Sequence, residues 1–337
     1  MGKVSANISF GLELECVRLH PLAGQIIEQM HFGHHLDHSI KGDNGETLPR
    51  SWPGAGHEIV TKPTNIAVSM GSDGARMQME FEPVRNLILQ LTSCSEHVNR
   101  SCGVHLHLGK PKGSTTVSRW SPDEVRTMLI IGQILEQRLT SMVHPSRLNN
   151  DTCELISKRY TKNDLGQFYP VGRVDPNKYT NRKRYCWLNL IETSRQGTRP
   201  DSGYGSSPAT GTIEIRFLGE TDCPSYIFMW TRLWLKIAAL VAYVPSTLAI
   251  AQVCYSDLLE QDFFALKTAA TIDLKKRTTS PSTSPSTGGG VEFTTGSSMD
   301  GRLRRSGIVR RIQTSNTASE VRVERYSDNE PFNEPPF

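Results

Sequence analysis

The chain lacks a Cys-x-x-Cys pair, a charge-free apolar run long enough for a bilayer, and any strong charge balance of one sign. Its seven cysteines are scattered and odd in number, which leaves no disulfide framework to read and fits reduced thiols in a cytoplasmic setting. A net charge of +4 is too mild for a nucleic-acid footprint, which needs Lys and Arg clustered on one face. The opening MGKVSANISF has no charged segment followed by a sustained apolar one, so no secretory signal is read, and Ala6 stands where Ser or Thr would favour myristoylation. Residues 226–244 are the most apolar segment, yet Arg232 and Lys236 interrupt it one helical turn apart. That pattern predicts a buried helix and no membrane partner, with Asp222 as cap, Pro224 in the first turn and Trp230, Leu233, Trp234, Ile237 and Leu240 as its stripe.

What is present is a repeated alternation. Phe10-Gly-Leu-Glu-Leu-Glu-Cys16, Gly103-Val-His-Leu-His-Leu-Gly109 and Gly211-Thr-Ile-Glu-Ile-Arg-Phe217 each set apolar residues against acids, imidazoles or a guanidinium. Side chains alternate faces along a strand, so Glu13 with Glu15, His105 with His107, and Glu214 with Arg216 each share a face. An antiparallel sheet built from these strands would pack its apolar side on helices and gather the polar groups on the other, an α+β arrangement.

Around these strands the chain reads as follows. A loop-rich region after strand one, to Pro53, holds His31, His34, His35, Asp37 and His38 as a loop with incidental histidines. Gly56-His-Glu-Ile-Val-Thr61 reads as a strand, Met77-Gln-Met-Glu-Phe-Glu82 as extended with Glu80 and Glu82 in a solvated hairpin, and a helix begins near Val84. Ser121, Pro122 and Glu124 form a capping box opening a helix to about Val143, with Val125, Met128, Leu129, Leu135, Leu139 and Met142 inward. Tyr185-Cys-Trp-Leu-Asn-Leu190 reads as a further strand, followed by a Gly/Ser/Pro loop. From Lys276 the composition turns to Ser, Thr, Pro and Gly with a few Arg, too poor in apolar groups to offset chain entropy. The expected organisation is a globular domain over residues 1–275 and a disordered tail over 276–337, the tail being a candidate surface for a partner.

Each polar pair alone has a second account. Glu13 and Glu15 fit a solvated strand face as well as a metal site, His105 and His107 a buried hydrogen-bonded pair, and Glu214 with Arg216 a surface ion pair. Their conjunction with Glu58 in Gly56-His-Glu-Ile-Val-Thr-Lys-Pro63 is more specific: carboxylates crowded with one or two imidazoles suit Mg²⁺ or Mn²⁺ better than zinc. Arg182, Arg184 and Arg216 are candidates for phosphate oxygens, which a guanidinium fork fits.

In that order, Gly-x-Glu-x-Glu, Glu-Ile-Val-Thr-Lys-Pro, Gly-Val-His-Leu-His, Arg-x-Arg-Tyr-x-x-Leu-Asn and Thr-Ile-Glu-Ile-Arg-Phe resemble the amidoligase family over roughly residues 8–245. That family is similar to glutamine synthetase and glutamate-cysteine ligase in its catalytic domain. Where its members often carry an Asp-Gly-Ser turn, this chain reads Asp37-His-Ser39.

The resemblance implies a curved antiparallel sheet backed by helices, and an ATP-dependent ligase that joins a small-molecule or peptide carboxylate to an amine through an acyl phosphate. It also implies that Glu13, Glu15, Glu58, His105 and Glu214 hold metals, that Glu214 and Arg216 are catalytic, and that Arg182, Arg184 and His107 contact ATP. Two other readings stand beside it: a metal-dependent hydrolase using His105 and His107, and a binding protein that keeps the fold without catalysis.

Overall fold

Period-two alternation runs through the whole of β1 (Lys3–Cys16), whose Ile8, Phe10, Leu12, Leu14 and Cys16 are buried. The structure is a computed structural model, and it describes residues 3–51, 54–110, 120–148, 153–156, 186–190 and 212–279. β1 is long enough to serve two partners on one edge. Its first part pairs with β5 (Thr64–Gly71), and its second part, from Glu13 to Cys16, pairs with β4 (Gly56–Val60). Between the two partners Leu12 and Thr61 exchange hydrogen bonds, and Lys62-Pro63 ends the β4 pairing.

The main sheet runs β3 (Gly33–Asp37), β4, β1, β8 (Gly103–Gly109), β10 (Ile213–Gly219) and β9 (Leu188–Asn189), with β6 (Met77–Met79) on the outer edge of β5. All its pairings are antiparallel. β2 (Arg18–Leu19) and β7 (Ser95–His97) form a separate two-stranded ribbon. On the apolar side of the main sheet lie Leu12, Leu14, Val104, Leu106, Leu108, Ile213 and Ile215. An α+β fold with an open antiparallel sheet backed by helices results.

The helices are α1 (Ala23–Met30), α2 (Glu82–Thr92), α3 (Pro122–Thr140), α4 (Pro145–Leu148), α5 (Pro224–Tyr243), α6 (Ser246–Tyr255) and α7 (Glu260–Thr279). The capping box of α3 forms in full: Ser121 N–H donates to Glu124 at 2.6 Å, Glu124 N–H donates to the Ser121 hydroxyl at 3.3 Å, and Trp120 ties the helix start to the Leu108 carbonyl. α5 packs against β1 and β8 and against α2, α3, α6 and α7. Its length and composition would suffice to cross a membrane, but 72% of its apolar window is buried within the protein.

Several local expectations are corrected. The region to Pro53 is not loop throughout, since α1 and β3 occupy it and His34 and His35 sit on a paired strand. His34 packs toward His57 while His35 is exposed, so this strand has no clean alternation to read. β5 went unread because Thr64-Asn-Ile-Ala-Val-Ser-Met70 follows directly on a proline. The extended stretch at Met77 stops at Met79, because Pro83 suits the first turn of α2 and draws Glu82 into that helix. Glu80 and Glu82 are exposed there. The residue capping α5 is Cys223 without a side-chain cap; Asp222 is drawn instead to Arg277 at 3.4 Å. α7 runs to Thr279, past the composition change at Lys276, and the rest of the tail lies outside the described residues.

The two charges inside the apolar segment have a partner. Asp262 on α7, almost fully buried, accepts a hydrogen bond from Lys236 at 2.7 Å and forms an ion pair with Arg232 Nε at 2.8 Å without hydrogen-bond alignment, clamping α7 onto α5. Asp262→Ala is expected to lower unfolding free energy by about 2–3 kcal/mol, less than a wholly buried pair would lose because both cations still reach solvent. Denaturant midpoints at unchanged slope measure it, and a shift near zero would dismiss the clamp.

Candidate functional site

Strand register decides which side chains meet. Glu13 pairs with His105 on one side and Val60 on the other; Glu15 pairs with Glu58, which pairs in turn with His35; His107 pairs with Glu214, which pairs with Asn189. Residues directly opposite one another in a ladder share a face. Glu13, Glu15, Glu58, His105, His107 and Glu214 therefore stand together opposite the helix-packed side.

Two sub-clusters form on that face. In the first, ligand atoms of Glu13, His105 and Glu214 lie within 4.8 Å of one another; in the second, so do those of Glu15, Asp37 and Glu58. His105 stands between them. Its Nδ1 is 3.0 Å from Glu13 Oε2 and 3.6 Å from Glu214 Oε1, while its Nε2 is 3.7 Å from Glu15 Oε1 and has no hydrogen-bond partner although it is buried. A histidine that gives one ring nitrogen to a carboxylate and keeps the other free is arranged as metal-binding histidines are. His107 Nε2 approaches Glu13 Oε1 at 3.0 Å without hydrogen-bond alignment, and its Nδ1 is 3.1 Å from the Thr212 hydroxyl.

On β10 the register shifts between Ile215 and Leu218, a bulge that sets two residues opposite His105. Arg216 reaches the polar face, where Nη1 donates to Glu214 Oε1 at 2.9 Å. Phe217 turns into the core, stacked on Trp187 at 4.9 Å and edge-on to Trp230. Bulges of this kind re-aim side chains at sites. Glu214 is further held by Asn189, whose Nδ2 donates to Oε2 at 2.6 Å.

The electrostatics record the crowding. Burial works against Glu13, but His105 and His107 hold its carboxyl far below the usual range. Burial likewise works against Glu214, and Arg216, His107 and His105 bring it down. For Glu58 the balance goes the other way: burial, then the charges of Glu13, Glu15 and Asp37, push it up to about 8 against the smaller opposing pull of His107. His107, despite burial, is raised to about 9 by Glu13 and Glu214. The donors are mostly carboxylate oxygens with one imidazole nitrogen free, and burial together with like charge disfavours ionisation of one acid. That set fits a hard divalent cation such as Mg²⁺ or Mn²⁺.

Arg182 and Arg184 lie outside the described residues. Of the histidines near the first helix, His31 ends α1 at a positive φ of 54° and neither it, His34, His35 nor His38 joins either sub-cluster. Asp37, from the same segment, does. It sits two residues beyond His35 on β3, but the histidines on both faces of that strand hid the periodicity. Asn189 and Thr212 were also missed, since neither carries a charge that marks it.

No protein-family model matches the chain, and no curated protein does. The site must be read from its own chemistry.

Two outcomes follow from this geometry. Mg²⁺ or Mn²⁺ added to protein stripped with EDTA is expected to raise its thermal midpoint, the gain reaching ~2.7 kcal/mol at a hundredfold excess over Kd. Glu214→Gln should lower the midpoint in EDTA, because Arg216 loses its partner, and should lose most of the metal response measured from that lower midpoint; an undiminished response would remove Glu214 from the ligand set. In EDTA, Glu58 makes stability fall as pH rises from the ordinary 4.5 to about 8, because the folded state keeps a proton that the unfolded chain has released. His107 adds a fall of the same sign between 6.5 and about 9. Glu58→Gln should decline less steeply over that window, and thermal midpoints showing the wild-type slope would contradict it.

Proposed function

We propose that the protein is an ATP-dependent carboxylate-amine ligase of the amidoligase kind, its sheet serving as a glutamine-synthetase-like catalytic surface. The observation that carries the reading is the convergence of Glu13, Glu15, Asp37, Glu58, Glu214 and His105 on one sheet face beside Arg216, from strands far apart in sequence. The order of the strand motifs adds the ligase class to what the cluster alone supports.

The reaction needs positioning and charge neutralisation more than it needs a protein nucleophile. A carboxylate oxygen of the acceptor attacks the terminal phosphorus of ATP and ADP leaves; the amine nitrogen then attacks the acyl carbon, phosphate leaves, and the nitrogen sheds a proton. Divalent cations held by Glu13 and Glu214, with His105 Nδ1 between them, and by Glu15, Asp37 and Glu58, toward which the free Nε2 of His105 is turned, would supply neutralisation of the phosphate and carboxylate charge. Arg216 stands where its guanidinium can take an oxygen of the acceptor carboxylate or of the transferred phosphoryl group. Glu214 fixes that guanidinium from one side. Asn189 in turn fixes Glu214, so the pair is aimed before any ligand arrives. Cys102 and Cys186 are buried and have no part in the chemistry. None of the seven cysteines forms a disulfide, in keeping with a reducing, cytoplasmic compartment.

Purified protein incubated with ATP, Mg²⁺ and a panel of carboxylate and amine pairs should release phosphate only when both acceptors are present, with an amide product of matching mass. Phosphate release that needs no amine would point to an ATPase or kinase. Turnover of an amide or ester without nucleotide would favour the metal-dependent hydrolase.

A further inference from the structure

The mechanism above leaves one buried cation unused. Arg147, on the short helix α4, is 2% exposed, yet no carboxylate pairs with it among the described residues. One Nη2 hydrogen bond runs to the Cys102 carbonyl at 2.6 Å, and the buried Nε has no partner at all. A guanidinium taken out of water with one donor unanswered and no counter-charge is costly, and a ligand that answered it would offset that cost.

Its location is specific. Gly103 and Gly219 face each other on β8 and β10, and Arg147 lies across the pair. A Cβ on Gly219 would stand 1.9 Å from Arg147 Nε, and one on Gly103 would stand 2.0 Å from Arg147 Nη2 and 3.1 Å from His105 Nε2. Both strands thus lack a side chain at the one place where the guanidinium passes. The register that pairs Leu14 with Val104 puts Glu15 level with Gly103, so Arg147 occupies the same row of the sheet face as Glu15 and Glu58. It borders the free Nε2 of His105.

We infer that Arg147 receives an oxyanion, phosphoryl or carboxylate, brought to the polar face beside the second cation position. The inference rests on the ligase reading for the identity of that anion, and on the geometry alone for its existence. A guanidinium fork matches two oxygens of such a group, and an adjacent divalent cation would hold a third. Arg147 would then answer one oxyanion on a face where Arg216 can answer another, beside the carboxylates that would hold the cations.

The test is titration calorimetry on the full chain with three probes: Mn²⁺ alone, inorganic phosphate in saturating Mg²⁺, and acetate in saturating Mg²⁺. Arg147→Met is expected to weaken phosphate or acetate binding roughly tenfold or more while Mn²⁺ affinity stays within about twofold, and Arg147→Lys to fall between, because an ammonium lacks the fork. The probe that responds tells phosphoryl from carboxylate. Should Arg147→Met fail to fold, Gly219→Ala serves in its place, since the added methyl displaces the guanidinium and keeps its charge; the same loss is expected. Equal anion affinity in wild type and variant, or no anion binding by the wild type, overturns the proposal. Loss of Mn²⁺ binding in step with the anion would show Arg147 to be a structural counter-charge and would overturn it equally. Failure of the ligase reading is seen separately, as absence of acceptor-dependent phosphate release while the titrations still report.

Discussion

Like charge held at close quarters is the constraint on which this structure turns. Antiparallel pairing leaves no freedom in which side chains meet: with Glu13 opposite His105 and Glu15 opposite Glu58, four groups that compete for protons are fixed on one surface. A one-residue slip would exchange every one of them for Leu12, Leu14, Val104 and Leu106 and drive the acids into the core. The register is therefore enforced from behind by buried apolar side chains, and the crowding in front is its consequence. Imidazoles and Arg216 relieve Glu13 and Glu214, but Glu58 is left to hold a proton. A site so unevenly compensated has room for positive charge that the chain itself does not provide.

The backing explains how the front stays in place. Trp187, Phe217, Trp230 and Trp234 form one aromatic cluster beneath the β10 bulge, so Phe217 is pinned while its neighbour Arg216 projects the other way. Just past the strand, Glu220 adopts a positive φ of 51°, unusual for a residue with a side chain, and is held there by His144 at 2.7 Å and by its N–H to the Cys102 carbonyl. The same carbonyl receives Arg147. Strain, bulge and buried guanidinium are gathered at one end of β8 and β10, where the polar face needs its cations.

The period-two segments were the legible part of the sequence because one residue type lay on each face: β1, β8 and β10 could be read together with the polar face they share, as could α3 from its capping box and α5 from its stripe. Legibility failed where two signals overlapped. β3 carries His34 toward the core side and His35 outward, so Asp37 lost its periodic context although it stands beside Glu58. α4 is a single turn, too short for any pattern, and Arg147 in His-Pro-Ser-Arg looks like an ordinary surface cation. Only the two glycines, forty-odd and seventy-odd residues away, give it meaning, and pairwise clearance of that kind exists in three dimensions alone. Arg147 and Asp37 share this property: each is a charged residue whose neighbours are set by elements far from it in sequence.

The charges are also ordered across the sheet. Acids predominate from β3 through β4 to β1, while Arg216 and Arg147 stand toward β10. Fields of opposite sign a few ångströms apart give a ligand only one favourable orientation, with its anionic end toward the guanidinia and any bound cations toward the carboxylates. A cation alone would settle on the acidic side, and an anion alone would be held mainly by the arginines. A phosphate group carrying its own divalent cation answers both at once, and the gain is mutual because each component screens the repulsion that the other would meet. On the reading proposed above, the pair would suit the face better than either member alone, and the proton-retaining Glu58 and the buried Arg147 would be two halves of one feature.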